Sequence, residues 1–351
     1  FRGDLIRDMV SNGHQVVTTG PEEKYTYEIS ALGASFVCLK MKKNGISVIR
    51  DAVYFFRLFR LILAVKPDIV FSYTIKPNIY AAIAARIAGV KKIYPMVTGL
   101  GYIYTAKSLT AALLRPIAAL LFRLCFRLST KVFFQNEGDI REFIGLGYLP
   151  ADKCVLVNGS GVNLRRFTKL PFPGRFTFLM IARLLKSKGV MEYLEAAKIV
   201  KQQYPIADFL LVGAMEKMQD SLNDQQLRPY IARGIVSWYG DTKDVRPFLA
   251  RCSVYVLPSW REGTPRTVLE AMASGRPVIT TDVPGCRETV INGRNGFLVP
   301  AQNATALAEK MIWMLQHPKA VRKMGEESLN ICRQKYDVRK VNRKMMETMG
   351  L

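Results

Sequence analysis

Residues 254–281, VYVLPSWREGTPRTVLEAMASGRPVITT, are the part of the sequence most informative about the fold class. An apolar run, a polar loop, a helical pattern and a second β-branched run follow one another. This order predicts a strand, a loop, a helix and a second strand. Thr264 suits the N-cap of the helix and Pro265 suits its first position. Glu262 therefore falls in the loop and Glu270 inside the helix, so two carboxylates flank the helix N-terminus.

That helix N-terminus predicts an anion site. We expect free backbone N–H groups at Gly263 and Thr264, with the positive end of the helix dipole behind them. Carboxylates at both sides would accept hydrogen bonds from the paired hydroxyls of a sugar or a ribose. A ligand that carries phosphate and hydroxyls together, such as a nucleotide sugar, fits both features. Either glutamate taken alone is more commonly an exposed helix charge.

The alternation of strand and helix extends along all 351 residues. Strands are predicted in the first half at residues 15–18, 68–73, 92–97, 131–134 and 154–158. In the second half they are predicted at residues 175–181, 208–212, 235–239, 253–257, 278–281 and 297–299. Helical patterns lie between them, which indicates an α/β protein with two Rossmann-like domains whose parallel sheets face each other across a cleft.

Domain boundaries follow from where this alternation stops. Residues 165–174, RRFTKLPFPG, lose periodicity and carry two prolines, which is typical of a linker. We therefore assign residues 1–164 to an N-terminal domain, 175–330 to a C-terminal domain, and 331–351 to a final helix that packs back on the N-terminal domain. No strand precedes the first helical pattern, so we expect the first strand of the N-terminal sheet to be missing.

The formal net charge of +23 indicates a polyanionic partner: nucleic acid, an anionic bilayer or phosphorylated substrates. Residues 69–136 contain nine Lys or Arg and no Asp or Glu. Residues 107–131 within this stretch, and 50–66 before it, mix basic side chains with Leu, Ile and Phe. That pattern is typical of interfacial helices, although crossover helices with snorkelling arginines are an alternative. Arginines interrupt the longest apolar runs, so no membrane-spanning helix is predicted.

The E-x7-E spacing of Glu262 and Glu270 resembles the signature of family 4 glycosyltransferases. MIARLLKSKGVM before it and SGRPVITTDVPGCRETV after it extend the resemblance. VNGSGVNLRRF at residues 157–167 matches as well, with Asn163 where relatives usually have Asp. FRGDLIRDMVSNGHQV, TIKPNIYAAIAARIAGV and VTGLGYIYT are similar to transferases that build oligosaccharides on undecaprenyl diphosphate. The resemblance implies the GT-B fold and sugar transfer from a nucleotide diphosphate.

The resemblance also implies residue roles. Arg183 and Lys188 would hold the donor diphosphate and stabilise it as it leaves, and Glu262 would face the donor sugar; these three form the predicted catalytic set. Glu270 would bind the ribose, and Gly3 would be the remnant of a glycine-rich loop that approaches the donor. The full set of predicted donor contacts is Gly3, Lys243, Asp244, Val245, Gly263, Thr264, Pro265 and Glu270. The predicted acceptor contacts are Lys76, Thr98, Gly99 and Gly101.

Thr98 stands where many family members carry a histidine, and the only two histidines, His14 and His317, lie outside the motifs. The resemblance then implies retaining transfer in which the leaving diphosphate takes the acceptor proton. The resemblance also implies that no metal is needed, and the absence of any D-x-D from the sequence agrees with this; no other cofactor is expected. Arg183, Lys188 and the helix N-terminus would supply the positive charge instead.

The expected partners are a nucleotide-sugar donor, a lipid-linked saccharide acceptor and an anionic membrane surface, with no nucleic acid. The donor would be a UDP-linked N-acetylhexosamine or hexose. The acceptor would be a saccharide on undecaprenyl diphosphate, used in bacterial polysaccharide or glycan assembly. The enzyme would then be cytoplasmic and peripheral on the inner face of the bacterial cell membrane.

Three alternatives stand beside this hypothesis. A nucleotide-dependent oxidoreductase needs G-x-G-x-x-G, and both Gly99-Leu-Gly101 and Gly159-Ser-Gly161 lack the third glycine. A UDP-sugar epimerase of the same two-domain shape would release an epimer or free sugar without an acceptor. A nucleic-acid-binding protein would explain the charge, but the basic residues do not interleave with aromatics as in a known module.

Overall fold

The computed structural model describes residues 2–41, 47–99, 109–216 and 220–351. Its contacts divide the chain into two compact units. The first comprises Phe1–Ser160 together with Arg339–Leu351, and the second comprises Gly161–Val338. None of the helices in the described ranges is both long and apolar enough to cross a bilayer.

The first unit contains two parallel sheets. Strands β1 (Val17–Gly20) and β2 (Ser35–Cys38) pair with each other, and β3 (Ile69–Tyr73), β4 (Lys92–Val97), β5 (Val132–Phe134) and β6 (Cys154–Leu156) form a second sheet in that order. Its helices are α1 (Gly3–Ser11), α2 (Thr26–Ser30), α3 (Val48–Val65), α4 (Ile75–Ile87), α5 (Leu109–Leu128) and α6 (Glu137–Gly145). Single 3-10 turns lie at Glu23–Tyr25 and Ala151–Lys153.

The second unit contains one six-stranded parallel sheet. Its strands are β7 (Thr177–Ile181), β8 (Asp208–Val212), β9 (Ser237–Trp238), β10 (Val254–Leu257), β11 (Val278–Thr281) and β12 (Gly296–Val299). Their spatial order is β12-β11-β10-β7-β8-β9. The chain therefore enters at the centre, runs outward to β9, and returns to the centre at β10. The border between β7 and β10 is the topological switch point of a doubly wound sheet.

In the second unit, α-helices connect the strands from β7 to β11, and two further helices follow β12. They are α7 (Val190–Gln203), α8 (Asp224–Ala232), α9 (Arg246–Ala250), α10 (Arg266–Ala273), α11 (Ala304–Gln316) and α12 (Pro318–Ile331). Short turns of 3-10 helix cover Lys186–Lys188 and Arg287–Thr289, and a π-helical turn covers Cys332–Tyr336. The chain ends in α13 (Val338–Met349).

Two cores lie on opposite faces of the four-stranded sheet of the first unit. Ile93 and Val97 of β4 enter a core with residues of α3, α4 and α5. Tyr94 and Met96, which alternate with them, enter a smaller core with residues of α1 and α13. Because side chains alternate along a strand, α3, α4 and α5 form one layer, and α1 and α13 form the other.

The helix that follows the decisive loop begins one residue later than predicted. Pro265 is the N-cap rather than the first helical residue, with φ −71° and ψ 111°, and it provides no side-chain cap. The proline ring fixes φ at a helical value, but the extended ψ leaves the residue outside the helix. Thr264 is therefore not the N-cap, and that part of the prediction was wrong.

Candidate active site

The topological switch point brings together the loops that follow β7 and β10, which carry predicted site residues. Arg183 follows the end of β7, and Ser259 and Glu262 follow the end of β10. Strands β7 and β10 are hydrogen-bonded neighbours, with Leu179 opposite Tyr255. Because the two strands are parallel, both loops leave the same edge of the sheet, where open α/β sheets bind ligands.

Lys188 and Glu262 meet at this edge. The Lys188 Nζ lies 2.5 Å from Glu262 Oε1, and the two side chains are 22% and 13% exposed. Ser259 Oγ donates to the same carboxylate oxygen over 2.8 Å. A largely buried carboxylate with two donors is held in one orientation. The structure therefore places a predicted phosphate-binding cation directly beside a predicted sugar-binding carboxylate.

Two glycines allow the turns around this pair to approach each other. Gly189 has φ 74°, and a Cβ on it would lie 2.0 Å from Pro258 O. Gly285 has φ 86°, and a Cβ there would lie 2.1 Å from Glu262 O. Any other residue would combine an unfavourable backbone conformation with a steric overlap. These glycines fix the backbone on both sides of the Lys188–Glu262 pair.

Trp260, which was not among the predicted site residues, connects the two loops. Its backbone N–H donates to Ser187 O over 2.9 Å, next to Lys188. Its indole Nε1 donates to Glu192 Oε1 over 3.0 Å, in the first turn of α7. One residue thus links the loop that carries Glu262 to the turn that carries Lys188. No sequence motif marks this role, because it depends on the approach of two distant segments.

Arg183 lies against a different carboxylate. Its Nη1 is 3.3 Å from Glu216 Oε2, and the side chains are 50% and 39% exposed. An ion pair this exposed contributes little to stability because water screens both charges. A phosphate that reached Arg183 would therefore readily displace Glu216.

Glu270 is almost fully buried within α10. Its Oε1 accepts from Arg266 Nε over 2.9 Å. Burial raises the pKa of Glu270, while the positive charges of Arg266 and Arg166 oppose the shift. Neither arginine was among the predicted site residues. They compensate the buried negative charge and leave the carboxylate as a candidate acceptor for hydroxyl groups.

The loop predicted to meet the base lies before α9. Lys243 is exposed there, and Val245 is partly buried and forms the N-cap of α9. Arg246 donates to both carboxylate oxygens of Asp244, from Nη2 to Oδ2 over 2.7 Å and from Nε to Oδ1 over 2.9 Å. These hydrogen bonds lower the pKa of Asp244 to about 2. The negative charge of Asp244 also raises the pKa of Glu270, so the loop and the buried glutamate lie close together.

The predicted acceptor residues lie in the first unit. Lys76, the second residue of α4, has its Nζ 2.8 Å from Oδ1 and 3.0 Å from Oδ2 of Asp51 in α3. Thr98 and Gly99 directly follow β4, whereas Gly101 lies outside the described residues. Thr74, which precedes α4, adopts φ 72°. A β-branched residue in this conformation is strained, and such strain concentrates at functional sites.

Gly3 is the first residue of α1. Among the described residues, a Cβ on it would meet only Leu32 Cδ1, at 3.5 Å, an ordinary contact. The packing of the described residues therefore does not itself require glycine at this position. Its helical position also differs from the loop that the family resemblance implied. Gly263 and Pro265 are buried, and Thr264 is half-buried.

Two Rossmann-like units with parallel sheets, the second with charged loops at its topological switch point, are the architecture of the GT-B fold. Anabaena HepE in complex with UDP and glucose has the same fold, with a TM-score of 0.80 and 18% identity over 99% of this chain and 94% of that chain. Sucrose-phosphate synthase from Thermosynechococcus elongatus gives a TM-score of 0.81 with 20% identity, over 98% of this chain and 90% of its own.

The sequence-family model described as "Glycosyl transferases group 1" matches residues 175–317, and the family model "Glycosyl transferase 4-like" matches residues 4–136. The chain belongs to the family 4 glycosyltransferases, which confirms the predicted family and the hexosyltransferase class.

Two relatives are informative. The N,N'-diacetylbacillosaminyl-diphospho-undecaprenol alpha-1,3-N-acetylgalactosaminyltransferase of Campylobacter jejuni is 28% identical over 91% of this chain and 86% of its own length. The UDP-Gal:alpha-D-GlcNAc-diphosphoundecaprenol alpha-1,3-galactosyltransferase of Escherichia coli is 28% identical over 77% of this chain and 72% of its own.

Proposed function

We propose that this glycosyltransferase moves an N-acetylhexosamine or hexose from a UDP-sugar to a saccharide on undecaprenyl diphosphate, in bacterial polysaccharide or glycan assembly. The observation that carries the proposal is the Lys188–Glu262 pair at the switch point, with Glu270 in the adjoining helix. The names of the Campylobacter and Escherichia relatives support the acceptor class.

Each charged group then has a task. Lys188 and Arg183 bind the diphosphate and stabilise the negative charge that grows on it as the sugar departs. Glu262 lies beside Lys188 and accepts from the sugar hydroxyls, while Glu270 accepts from the ribose. The loop of Lys243, Asp244 and Val245 meets the base.

The proposed transfer retains the configuration of the sugar and needs no metal ion. UDP-linked hexoses carry an α-linkage, so an alpha product, as in the names of both relatives, corresponds to retention. The leaving diphosphate takes the proton of the acceptor hydroxyl on the face where the new bond forms. Arg183 and Lys188 provide the charge stabilisation that a divalent cation supplies in other transferases.

The acceptor binds the first unit near Lys76, Thr98 and Gly99, and the enzyme works on the inner face of the cell membrane as a peripheral protein. The net charge of +23 and the acid-free residues 69–136 support this location. A saccharide on a polyprenyl diphosphate is confined to the membrane surface, so an enzyme held there meets its acceptor at a high local concentration.

The test is transfer from radiolabelled UDP-N-acetylgalactosamine, UDP-N-acetylglucosamine, UDP-galactose and UDP-glucose to short-chain polyprenyl-diphosphate saccharides. The UDP-sugar that transfers should also raise the thermal midpoint of unfolding. The proton NMR coupling of the new anomeric centre should report an alpha linkage. Formation of an epimer or free sugar without an acceptor would instead support the epimerase alternative.

The same assay tests metal independence. Transfer should keep its rate in EDTA, because the stabilising charges belong to Arg183 and Lys188. Activity that is lost in EDTA and restored by magnesium or manganese would contradict this part of the proposal.

A further inference from the structure

The first turn of α4 contains a buried asparagine that joins the ends of two strands. Asn78 is 1% exposed. Its Nδ2 donates to Met96 O of β4 over 2.7 Å, and its Oδ1 accepts from Ser72 Oγ of β3 over 2.9 Å. Because a carbonyl can only accept, the amide nitrogen must face Met96, and the amide oxygen is left for Ser72. The carboxamide of Asn78 therefore bridges the carboxyl ends of two neighbouring strands.

The bridge lies where β3 stops pairing with β4. Tyr73 opposite Met96 is the last pair of the two strands. The next residue, Thr74, adopts the strained backbone conformation with φ 72° and leads into α4. The backbone N–H of Asn78 donates to Thr74 O over 3.0 Å. Asn78 thus binds β4 with its side chain and holds the strained end of β3 with its backbone.

The atoms that Asn78 holds adjoin the proposed acceptor contacts. Met96 lies two residues before Thr98, the first residue of the loop after β4. Lys76 lies two residues before Asn78 in the same turn of α4. The backbone carbonyl of Asn78 accepts from Cys125 Sγ of α5 over 3.3 Å, which ties the asparagine to a second helix. Asn78 is therefore fixed between the two segments that carry the acceptor contacts.

Packing alone does not require an amide at this position. The neighbouring residues Ile79, Ala81 and Ala82 of α4 are apolar and buried. Burying an amide among them costs free energy unless its oxygen and nitrogen are both hydrogen-bonded. A leucine has the same branched shape and carries no such cost. What Asn78 adds is the direction of two hydrogen bonds, which specifies one geometry of the strand ends.

We propose that Asn78 is a positioning residue for the acceptor. Together with Ser72, it fixes the carbonyl of Met96, and with it the loop that begins at Thr98, relative to Lys76. This inference rests on the proposed function, which places the acceptor at these contacts. Asn78 is too deeply buried to touch the acceptor and acts through the backbone that it holds.

The test combines amide hydrogen exchange with kinetics on three variants. Asn78→Leu and Ser72→Ala each remove one side of the bridge, and Asn78→Asp keeps its shape. The matched controls are Asn342→Leu and Ser129→Ala. Asn342 is a buried asparagine of α13 on the opposite layer of the same unit. Ser129 is a buried serine at the amino edge of the sheet, and its hydroxyl donates to Cys125 O over 2.6 Å.

Hydrogen exchange without substrates reports directly on the loop. Asn78→Leu should raise the exchange rate of residues 96–99 about tenfold, and Ser72→Ala should raise it by less. Both controls should exchange there like the wild type. Wild-type exchange of residues 96–99 in Asn78→Leu would overturn the inference.

Kinetics with a short-chain acceptor in detergent distinguish positioning from a general loss of folding. The acceptor KM should rise about tenfold in Asn78→Leu, while the donor KM and the kcat at saturating acceptor stay within about twofold of the wild type. The donor KM is spared because the proposed donor contacts, Gly3 apart, lie in the second unit. A variant that only folded less well would lower kcat with both KM values unchanged, and that result would overturn the inference.

Asn78→Asp tests the hydrogen bonds apart from the packing. Burial raises the pKa of a carboxyl group. Below that pKa, the protonated side chain donates to Met96 O and accepts from Ser72, as the amide does; above it, a carboxylate repels the Met96 carbonyl. The acceptor KM of Asn78→Asp, divided by that of the wild type at the same pH, should therefore fall as the pH is lowered. Asn78→Leu should show no such recovery. A ratio for Asn78→Asp that stays as high at low pH as at high pH would overturn the inference.

Hydrogen exchange also separates this inference from the proposed function. A wild type that transfers no sugar to any polyprenyl-diphosphate saccharide would reject the proposed function. The exchange of residues 96–99 would still decide whether Asn78 and Ser72 hold the loop after β4.

Discussion

The switch point of the second unit and the outer face of α3 in the first unit carry their charges in opposite ways. Around the switch point, basic and acidic side chains meet in pairs: Lys188 with Glu262, Arg183 with Glu216, and Arg266 with Glu270. The outer face of α3, which points away from the core of the first unit, carries the exposed residues Arg50, Arg57 and Arg60 and no acid. Paired charges suit a small ligand that offers phosphate and hydroxyls together. One-sided charge suits an extended polyanionic surface.

Removing a cation from the switch point should have the strongest effect on catalysis. Lys188→Met and Arg183→Met should each remove about 2 to 4 kcal/mol of transition-state stabilisation. This corresponds to about 30-fold to 1000-fold in kcat. The rate should fall more than the donor KM rises, because the interaction strengthens as charge builds on the leaving diphosphate. Steady-state kinetics with varied donor measure both parameters.

A matched control for these variants is Arg228→Met, an exposed arginine of α8 that pairs with Asp224. It should leave kcat unchanged. The thermal midpoint must be compared as well, because Lys188→Met leaves the largely buried Glu262 without its cation. Folded Lys188 and Arg183 variants that keep more than half of the wild-type kcat/KM would place the diphosphate elsewhere.

A smaller effect is expected at Glu270, which the proposal places on the ribose, away from the breaking bond. Glu270→Gln should raise the donor KM about tenfold with less change in kcat. Burial raises the pKa of this carboxyl, and the ionised form accepts both ribose hydroxyls. Donor KM should therefore rise as the pH falls through that raised pKa, at a higher pH than for an exposed glutamate.

The Glu270→Gln variant should lose this pH dependence, since an amide does not titrate. Glu309→Gln, at an exposed position of α11, is the matched control and should keep the wild-type pH profile. A pH profile that is identical in wild type and Glu270→Gln would assign the titration to another group.

The interior strands could be predicted from the sequence alone. Residues 92–97, 208–212 and 278–281 were predicted and observed with the same bounds, because continuous β-branched and apolar runs mark strands buried on both faces. Strand β2, Ser35–Cys38, was missed because four residues with mixed polarity carry little periodicity. The edge strand β9 was predicted at 235–239 and covers only Ser237–Trp238.

The site could be predicted only as far as its motif residues. Lys188 and Glu262 were singled out, but their direct contact depends on the β7–β10 border. Their neighbours Arg266, Glu216 and Trp260 were not predicted. Each owes its position to tertiary approach rather than to a local pattern, so only the structure reveals that the second unit pairs its charges.

A weaker effect is expected from Trp260, which holds the loops of Lys188 and Glu262 together. Trp260→Phe removes the indole N–H that donates to Glu192 while keeping an aromatic ring in the loop. Loss of one hydrogen bond of about 1 kcal/mol should loosen the Lys188–Glu262 geometry and lower kcat about fivefold, with little change in donor KM. Glu192→Gln keeps an acceptor oxygen and should be nearly wild type, whereas Glu192→Leu should match Trp260→Phe. Because the two side chains act through one bond, the double variant of Trp260→Phe with Glu192→Leu should be no slower than either single variant. Additive losses in that cycle, or a lower thermal midpoint with unchanged kcat, would show that Trp260 only packs the loop and does not position the pair.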